Sequence, residues 1–184
     1  MDFLFKKAMR IVSGKYKGRR IDPPSNITAR PTTDFAKEAL FNVLTNRVDF
    51  EELTVLDLFA GTGSISLEFA SRGSKSITAV EMSKTQANFI RKISSNLEID
   101  AIQLVQADVF RFIKSCAAKF DLIFADPPYQ LPTLQTLPDL VFEKALLKEQ
   151  GLFILEHPSK LSFDNHPRFK EHRNYGNVHF SFFE

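Results

Sequence analysis

The chain has 184 residues, is 43% hydrophobic and carries a formal net charge of +2. That is enough apolar material for one full core, and the length calls for no second large domain. No apolar run is long enough to cross a bilayer, and the first seven residues, from Met1 to Lys7, have neither the leading positive charge nor the apolar stretch of a secretory signal, so a cytoplasmic protein is expected. A single cysteine, Cys116, excludes an internal disulfide and reads as a small buried residue in a helical pattern. The histidines His157, His166, His172 and His179 have no metal-ligand spacing, so no metal is expected.

A net charge this small identifies no partner, but its distribution is uneven. Lys15, Lys17, Arg19, Arg20 and Arg30 crowd one N-terminal segment. Residues 1–8 read as a loosely ordered extension. From Met9 to Ile21 two short extended segments flank a Gly14-Lys15-Tyr16-Lys17-Gly18 tip, giving a basic hairpin with its lysines in solvent. Arg30-Pro31-Thr32-Thr33-Asp34 then opens a helix with hydroxyl and carboxylate groups suited to capping, and Ala36, Ala39, Leu40, Val43 and Leu44 give it an apolar stripe. The hairpin and helix, residues 9–50, are expected to pack on a main domain of residues 51–184.

In that domain strand-like and helix-like segments alternate. Strands are expected at Leu53 to Phe59, Ser76 to Glu81, Ala101 to Gln106, Phe120 to Ala125 and Leu152 to Glu156. Helices are expected near Ile65 to Ser71, Thr85 to Leu97, Phe110 to Ala117 and Leu134 to Leu147. The pattern implies an α/β fold with a mostly parallel, doubly wound sheet. Phe169 to Tyr175 and Val178 to Phe183, joined across Gly176-Asn177, read as an antiparallel hairpin at its edge.

The strand ends carry the chemistry. Val55-Leu56-Asp57-Leu58-Phe59-Ala60-Gly61-Thr62-Gly63-Ser64 is a strand, a glycine turn and a helix start, which lets a ligand approach the backbone. Ser66 stands where a dinucleotide fingerprint would have its third glycine, and no Gly-Lys-Ser/Thr follows, so two phosphate-binding readings lose ground. Glu81 ends the next strand about 20 residues on, the usual place of an acceptor for ribose hydroxyls. Asp108 stands at a rim position suited to an adenine amino group. Together these describe an adenosyl ligand without phosphates. Asp126-Pro127-Pro128-Tyr129 ends the fourth strand with a carboxylate, a carbonyl on a stiff backbone and an aromatic face, which suits one planar amine on an extruded base.

With these residues in view, the chain resembles the class I S-adenosylmethionine-dependent methyltransferases that methylate exocyclic amines. Arg10-Ile11-Val12-Ser13-Gly14, Gly18-Arg19-Arg20, Arg30-Pro31-Thr32-Thr33-Asp34 and Glu38-Ala39-Leu40-Phe41-Asn42-Val43-Leu44 resemble one family in particular, the RsmD-type 16S ribosomal RNA guanine-N2 methyltransferases. Where that family is expected to show more arginine, the chain has Phe35, Ala36 and Lys37. The resemblance implies a Rossmann-like methyltransferase fold, S-adenosyl-L-methionine as cofactor, and 16S rRNA, within the small subunit or its assembly intermediate, as partner of a monomer. It implies a catalytic set of Asp126, Pro127, Pro128 and Tyr129. It implies cofactor contacts from Asp57, Phe59, Ala60, Gly61, Gly63, Glu81, Met82, Asp108 and Val109. RNA contacts are implied for Lys15, Lys17, Arg19, Arg20, Arg30, Thr32 and Thr33. The rivals are an adenine-N6 DNA methyltransferase, for which the chain has no room for a target-recognition domain, and a noncatalytic RNA-binding assembly factor, which would need neither the tetrapeptide nor the glycine turn.

Overall fold

The computed structural model describes residues 8–25 and 33–184. The expected extension up to residue 7, together with Arg30 and Thr32, lies outside the described residues.

The elements run β1 (Met9–Arg10), β2 (Arg20–Ile21), α1 (Asp34–Thr45), β3 (Thr54–Leu58), α2 (Ser64–Ser71), β4 (Ser76–Glu81), α3 (Lys84–Asn96), β5 (Ile102–Gln106), α4 (Val109–Ser115), β6 (Phe120–Ala125), α5 (Leu137–Glu143), β7 (Leu147–His157), β8 (Phe169–Tyr175) and β9 (Val178–Phe183). Seven strands form one sheet in the order β5-β4-β3-β6-β7-β9-β8. The first five are mutually parallel, and β9 and β8 add on antiparallel. The strand order therefore reverses between β3 and β6. In open α/β sheets that switch point is where a crevice opens beyond the carboxyl ends of the strands.

The parallel strands read as continuous apolar runs because both sheet faces are covered. Val55, Leu122, Phe124, Ile154, Phe180 and Phe182 point to one face and pack with Ala36, Leu40, Phe41 and Leu44 of α1 and Ile65 and Phe69 of α2. Leu56, Leu58, Ile123, Ala125, Phe153 and Leu155 point to the other, against Val109 and Ile113 of α4 and Leu137 and Val141 of α5. The alternation within each strand is the pleat itself. The N-terminal hairpin is fixed to the α2 side, where Met9, Ile11 and Ile21 cluster with Leu67, Phe89 and Ile99.

Three local expectations are corrected. The helix expected to reach Leu147 stops at Glu143, Ala145 takes a positive φ of 49°, and the carbonyl of Leu146 accepts from the Phe120 N–H, so the leucine pair serves the sheet instead of a helix. The α1 stripe is rotated: Lys37 and Phe41 are fully buried, while Ala39 and Val43 lie half-buried at its margin. Cys116 is the C-cap of α4 and only half-buried, because the chain leaves the helix there for β6.

Candidate active site at the strand ends

The turn after β3 is folded against the usual preference of its residues. Phe59, which is not a glycine, has φ 63°, followed by Gly61 at 58° and Gly63 at 76°. Left-handed backbone at a bulky residue is strained and persists only where the surroundings over-determine it. They do so here: the Ala60 N–H donates to the Val80 carbonyl (2.9 Å), Gly63 N–H to the Ala60 carbonyl (2.7 Å), and Gly61 N–H to Glu81 Oε2 (2.8 Å). A Cβ on Gly63 would meet Ile90 Cγ1 at 2.9 Å, whereas one on Gly61 would meet nothing closer than 3.6 Å. Gly63 is thus required for packing α3, and Gly61 leaves its outer side open.

Asp57 sits behind this turn, 1% exposed. Gly63, the N-cap of α2, has no side chain to cap the helix. Asp57 fills that role: the Ser66 hydroxyl donates to Oδ2 at 2.5 Å and the Ser66 main chain donates as well. Burial nevertheless holds the Asp57 carboxyl up at about 7, with Glu81 adding repulsion. The structure therefore makes Asp57 a support of the turn, and explains Ser66 as its partner.

Glu81 ends β4, 8% exposed, and its two oxygens accept from Gly61 N–H (2.8 Å) and Ser83 N–H (2.7 Å). Beside it Met82 is 67% exposed, an apolar side chain left open next to a buried carboxylate. Asp108 is the N-cap of α4, accepting from the Arg111 N–H at 2.9 Å, and Val109 behind it is buried. Asp57, Phe59, Ala60, Gly61, Gly63, Glu81, Met82, Asp108 and Val109 thus line the carboxyl ends of β3, β4 and β5.

Asp126 follows the last residue of β6. Its N–H reaches the Leu58 carbonyl (3.4 Å), which fixes it at the switch point. Pro127 is buried, Pro128 exposed, and the Pro128 carbonyl closes a turn with the Leu131 N–H (2.8 Å). Tyr129 keeps 39% exposure while its hydroxyl donates to Glu156 Oε1 at 3.1 Å. Glu156 stands next to Asp126, one residue past the paired Ala125 and Leu155. Burial, then repulsion from Glu156 and Asp57, pushes Asp126 well above the usual carboxylate range. Glu156 is raised to about 7 by burial, against the opposing hydrogen bond from Tyr129. Sequence reasoning missed Glu156. The available signal was the one used for Glu81, an acid closing a buried apolar strand.

The arm is built differently. Lys15, Lys17, Arg19 and Arg20 are all exposed, and the attachments are made by main chain. Val12 and Ser13 N–H donate to Glu68 (2.8 and 3.0 Å), Lys15 N–H to the Ser71 carbonyl (2.7 Å) and Tyr16 N–H to Ser71 Oγ (3.0 Å). A Cβ on Gly14 would fall 1.8 Å from the Ser71 carbonyl oxygen, so only glycine fits there. Glu68 is fully buried and also meets Arg72 (3.0 Å) and Lys37 (3.9 Å). Lys37 is 1% exposed and donates to Ser64 Oγ at 3.1 Å, so it is a bracket inside the fold. Burial lowers its pKa, opposed by Glu68 and Asp34. The Thr33 hydroxyl is the N-cap of α1, accepting from the Ala36 N–H at 3.2 Å.

The family model described as conserved hypothetical protein 95 matches residues 9–184. A protein of Buchnera aphidicola subsp. Baizongia pistaciae named ribosomal RNA small subunit methyltransferase D is 32% identical over 166 residues, 88% of this chain and 84% of that one. The solved structure of a hypothetical protein of Thermus thermophilus is similar with a TM-score of 0.84 and 28% identity, covering 95% of this chain and 98% of that one. The T. thermophilus 16S rRNA N2 methyltransferase RsmC, solved with AdoMet and guanosine, matches with a TM-score of 0.74 over 96% of this chain and 49% of that one; at 20% identity the likeness is one of fold.

Proposed function

We infer that this chain, which belongs to the conserved hypothetical protein 95 family, transfers a methyl group from S-adenosyl-L-methionine to the exocyclic N2 of a guanine in 16S rRNA of the small ribosomal subunit. The observation that carries the reading is the placement of Asp126-Pro127-Pro128-Tyr129 at the switch point, beside the strained Phe59–Gly63 turn. The name borne by the Buchnera relative supports the rRNA substrate.

The residues at the crevice fit the cofactor. The turn offers close backbone approach at Gly61, Glu81 suits the ribose, and the open Met82 side chain and Val109 suit the faces of adenine, with Asp108 at its amino edge. When bound, the cofactor supplies an electrophilic methyl group on a positively charged sulfur.

Asp126 and the Pro127 carbonyl accept from the two amine hydrogens and aim the nitrogen lone pair. The amine of guanine is a weak nucleophile because its lone pair is delocalised into the ring. Fixed acceptors that favour pyramidal nitrogen gain strength as positive charge develops on it, so they act mainly in the transition state. Tyr129, anchored through its hydroxyl, presents its ring to the extruded base. The exposed arm, Lys15 to Arg20, meets the phosphate backbone.

Incubation with methyl-labelled cofactor and, separately, small ribosomal subunits, protein-free 16S rRNA and duplex DNA tests the reading. N2-methylguanosine in digested rRNA is the expected product. N6-methyladenine in DNA would instead identify the DNA enzyme, and cofactor-independent RNA binding without transfer would identify an assembly factor.

A further inference from the structure

Glu156 is not used in the chemistry above, and its surroundings are unusual. One carboxylate oxygen accepts the Tyr129 hydroxyl at 3.1 Å. The other, Oε2, is buried and has no hydrogen-bond partner among the described residues. A buried acceptor left unpaired is costly, and in native proteins it usually awaits a ligand, water or ion. Strand register says where such a ligand would lie. Ala125 of β6 is paired with Leu155 of β7, so Asp126 and Glu156 follow side by side and leave the sheet on the same face.

The chemistry of the base then decides which group meets Oε2. On guanine, N2 has two ring neighbours, N1 and N3, and only N1 carries a hydrogen. If Asp126 and the Pro127 carbonyl hold N2, a neighbouring acceptor can pair with the base only through N1–H. On adenine the amine is at N6 and the adjacent N1 is an acceptor, which would face a carboxylate oxygen lone pair to lone pair.

The geometry points to Glu156 as the residue that recognises guanine, its Oε2 accepting the N1–H of the extruded base while Tyr129 holds Oε1. This rests on the guanine-N2 reading above. Oε2 is shielded from solvent, and the part-exposed Tyr129 stands beside it, held through the bond to Oε1. Shielding sharpens the choice: a site whose buried polar group loses its partner rejects the wrong base far more strongly than an apolar pocket does. The hydrogen bond from N1–H also stabilises the ionised form of a carboxyl that burial otherwise holds up at about 7.

The test uses small subunits reconstituted with guanine or with 2-aminopurine at the nucleotide that the wild-type protein methylates. 2-Aminopurine keeps the amine at position 2 but has an unprotonated N1. The wild type should prefer guanine by at least about a hundredfold in kcat/KM. In Glu156→Gln the amide oxygen can keep the Tyr129 bond and place its NH2 where Oε2 was, which opposes guanine N1–H and suits 2-aminopurine N1. That variant should lose about a hundredfold on guanine and reverse or abolish the preference, with cofactor affinity unchanged by calorimetry. A structural role alone would depress both substrates equally and overturn the inference while leaving the guanine-N2 reading intact. Unchanged discrimination would do the same. Absence of N2 transfer to guanine by the wild type would overturn the reading and the inference together.

Discussion

In the arm, the main chain makes the attachments and the charged side chains are left to solvent, whereas at the strand ends the carboxylates of Asp57, Glu81 and Glu156 are themselves the attachments and the main chain follows them. The difference matches what each region would meet. A polyanion with many equivalent phosphates is held by several long, mobile cations, and no single geometry has to be exact to a fraction of an ångström. A single small cation and one planar base need fixed partners. Both regions hang on the same short helix. α2 is capped at its start by Asp57, under the turn, and carries Glu68 and Ser71, which hold the arm, further along.

Breaking the shared element should have the largest effect. Glu68→Ala removes the acceptor of two arm N–H groups, takes from half-buried Arg72 its carboxylate and leaves buried Lys37 with Asp34 at 4.0 Å as its remaining charge partner. The expected loss is about 3 to 5 kcal/mol of stability, the range for removing one member of a buried charge pair. Denaturant midpoints measure it, and Glu68→Gln, which keeps an acceptor but not the charge, should recover part. An unchanged midpoint would mean that the arm and Lys37 are held by something else.

The crevice can be separated from the arm by pH. Asp57 has a folded pKa of about 7 against 3.8 for the ordinary carboxyl, so the folded state binds the proton more tightly. The stability it contributes is fully present below about pH 4 and is lost as pH rises through about 7. The linked change is on the order of 4 kcal/mol. Asp57→Asn, which retains an acceptor for Ser66 and does not titrate, should remove that share of the slope in unfolding measurements between about pH 4 and 7 and leave the share of Glu156 and Asp126, whose carboxyls are raised as well. Charge removal in the arm should leave it unchanged.

Asp126 tests the crevice at the chemical step. Asp126→Ala should lower single-turnover methyl transfer at saturating substrate by several hundredfold, comparable to losing one preorganised polar partner of a transition state. Asp126→Asn keeps an acceptor and should retain measurable transfer. Both should still bind cofactor. Wild-type rates in the alanine variant would reject the site, and equal loss in both variants would show that the negative charge itself is required.

The same contrast explains what the sequence made legible. The sheet could be read because its strands are apolar on both faces and end in glycine, proline or acid, and those endings marked Glu81 and Asp126. The arm could be read because charge and glycine recur within a few residues. Glu156 carries the same strand-end signal as Glu81, but its role, like that of Glu68, comes from partners distant in sequence: Glu156 from Tyr129 and Asp126, Glu68 from Val12 and Lys37. Lys37 stands where the family resemblance leads one to expect more arginine, and the Ala36, Ala39, Leu40, Val43 and Leu44 stripe puts it outside the buried set. Only the packing of α1 against α2 and the Arg10 carbonyl turns it inward. Leu146 and Leu147 could continue a helix or begin a strand, and pairing with Phe120 decided it.

The smallest effect should come from a single charge on the arm. Lys17 lies exposed at the tip between Gly14 and Gly18, and its main-chain N–H donates to the Gly14 carbonyl at 3.1 Å, so its ammonium can be removed without disturbing the fold. If it contacts one phosphate, Lys17→Ala should reduce the slope of log affinity against log salt by about 0.7 to 1 and weaken RNA binding a few-fold at physiological salt. Removing Lys15, Lys17, Arg19 and Arg20 together should lower the slope by about 3 on single-stranded RNA. Neither variant should alter cofactor affinity or the single-turnover rate at saturating RNA, because those belong to the strand ends. A salt slope that does not move in the fourfold variant would place the phosphate contacts elsewhere on the molecule. A fall in the saturated rate with an unmoved slope would mean that the arm positions the base rather than gathering the RNA, and the division of labour between the two regions would fail.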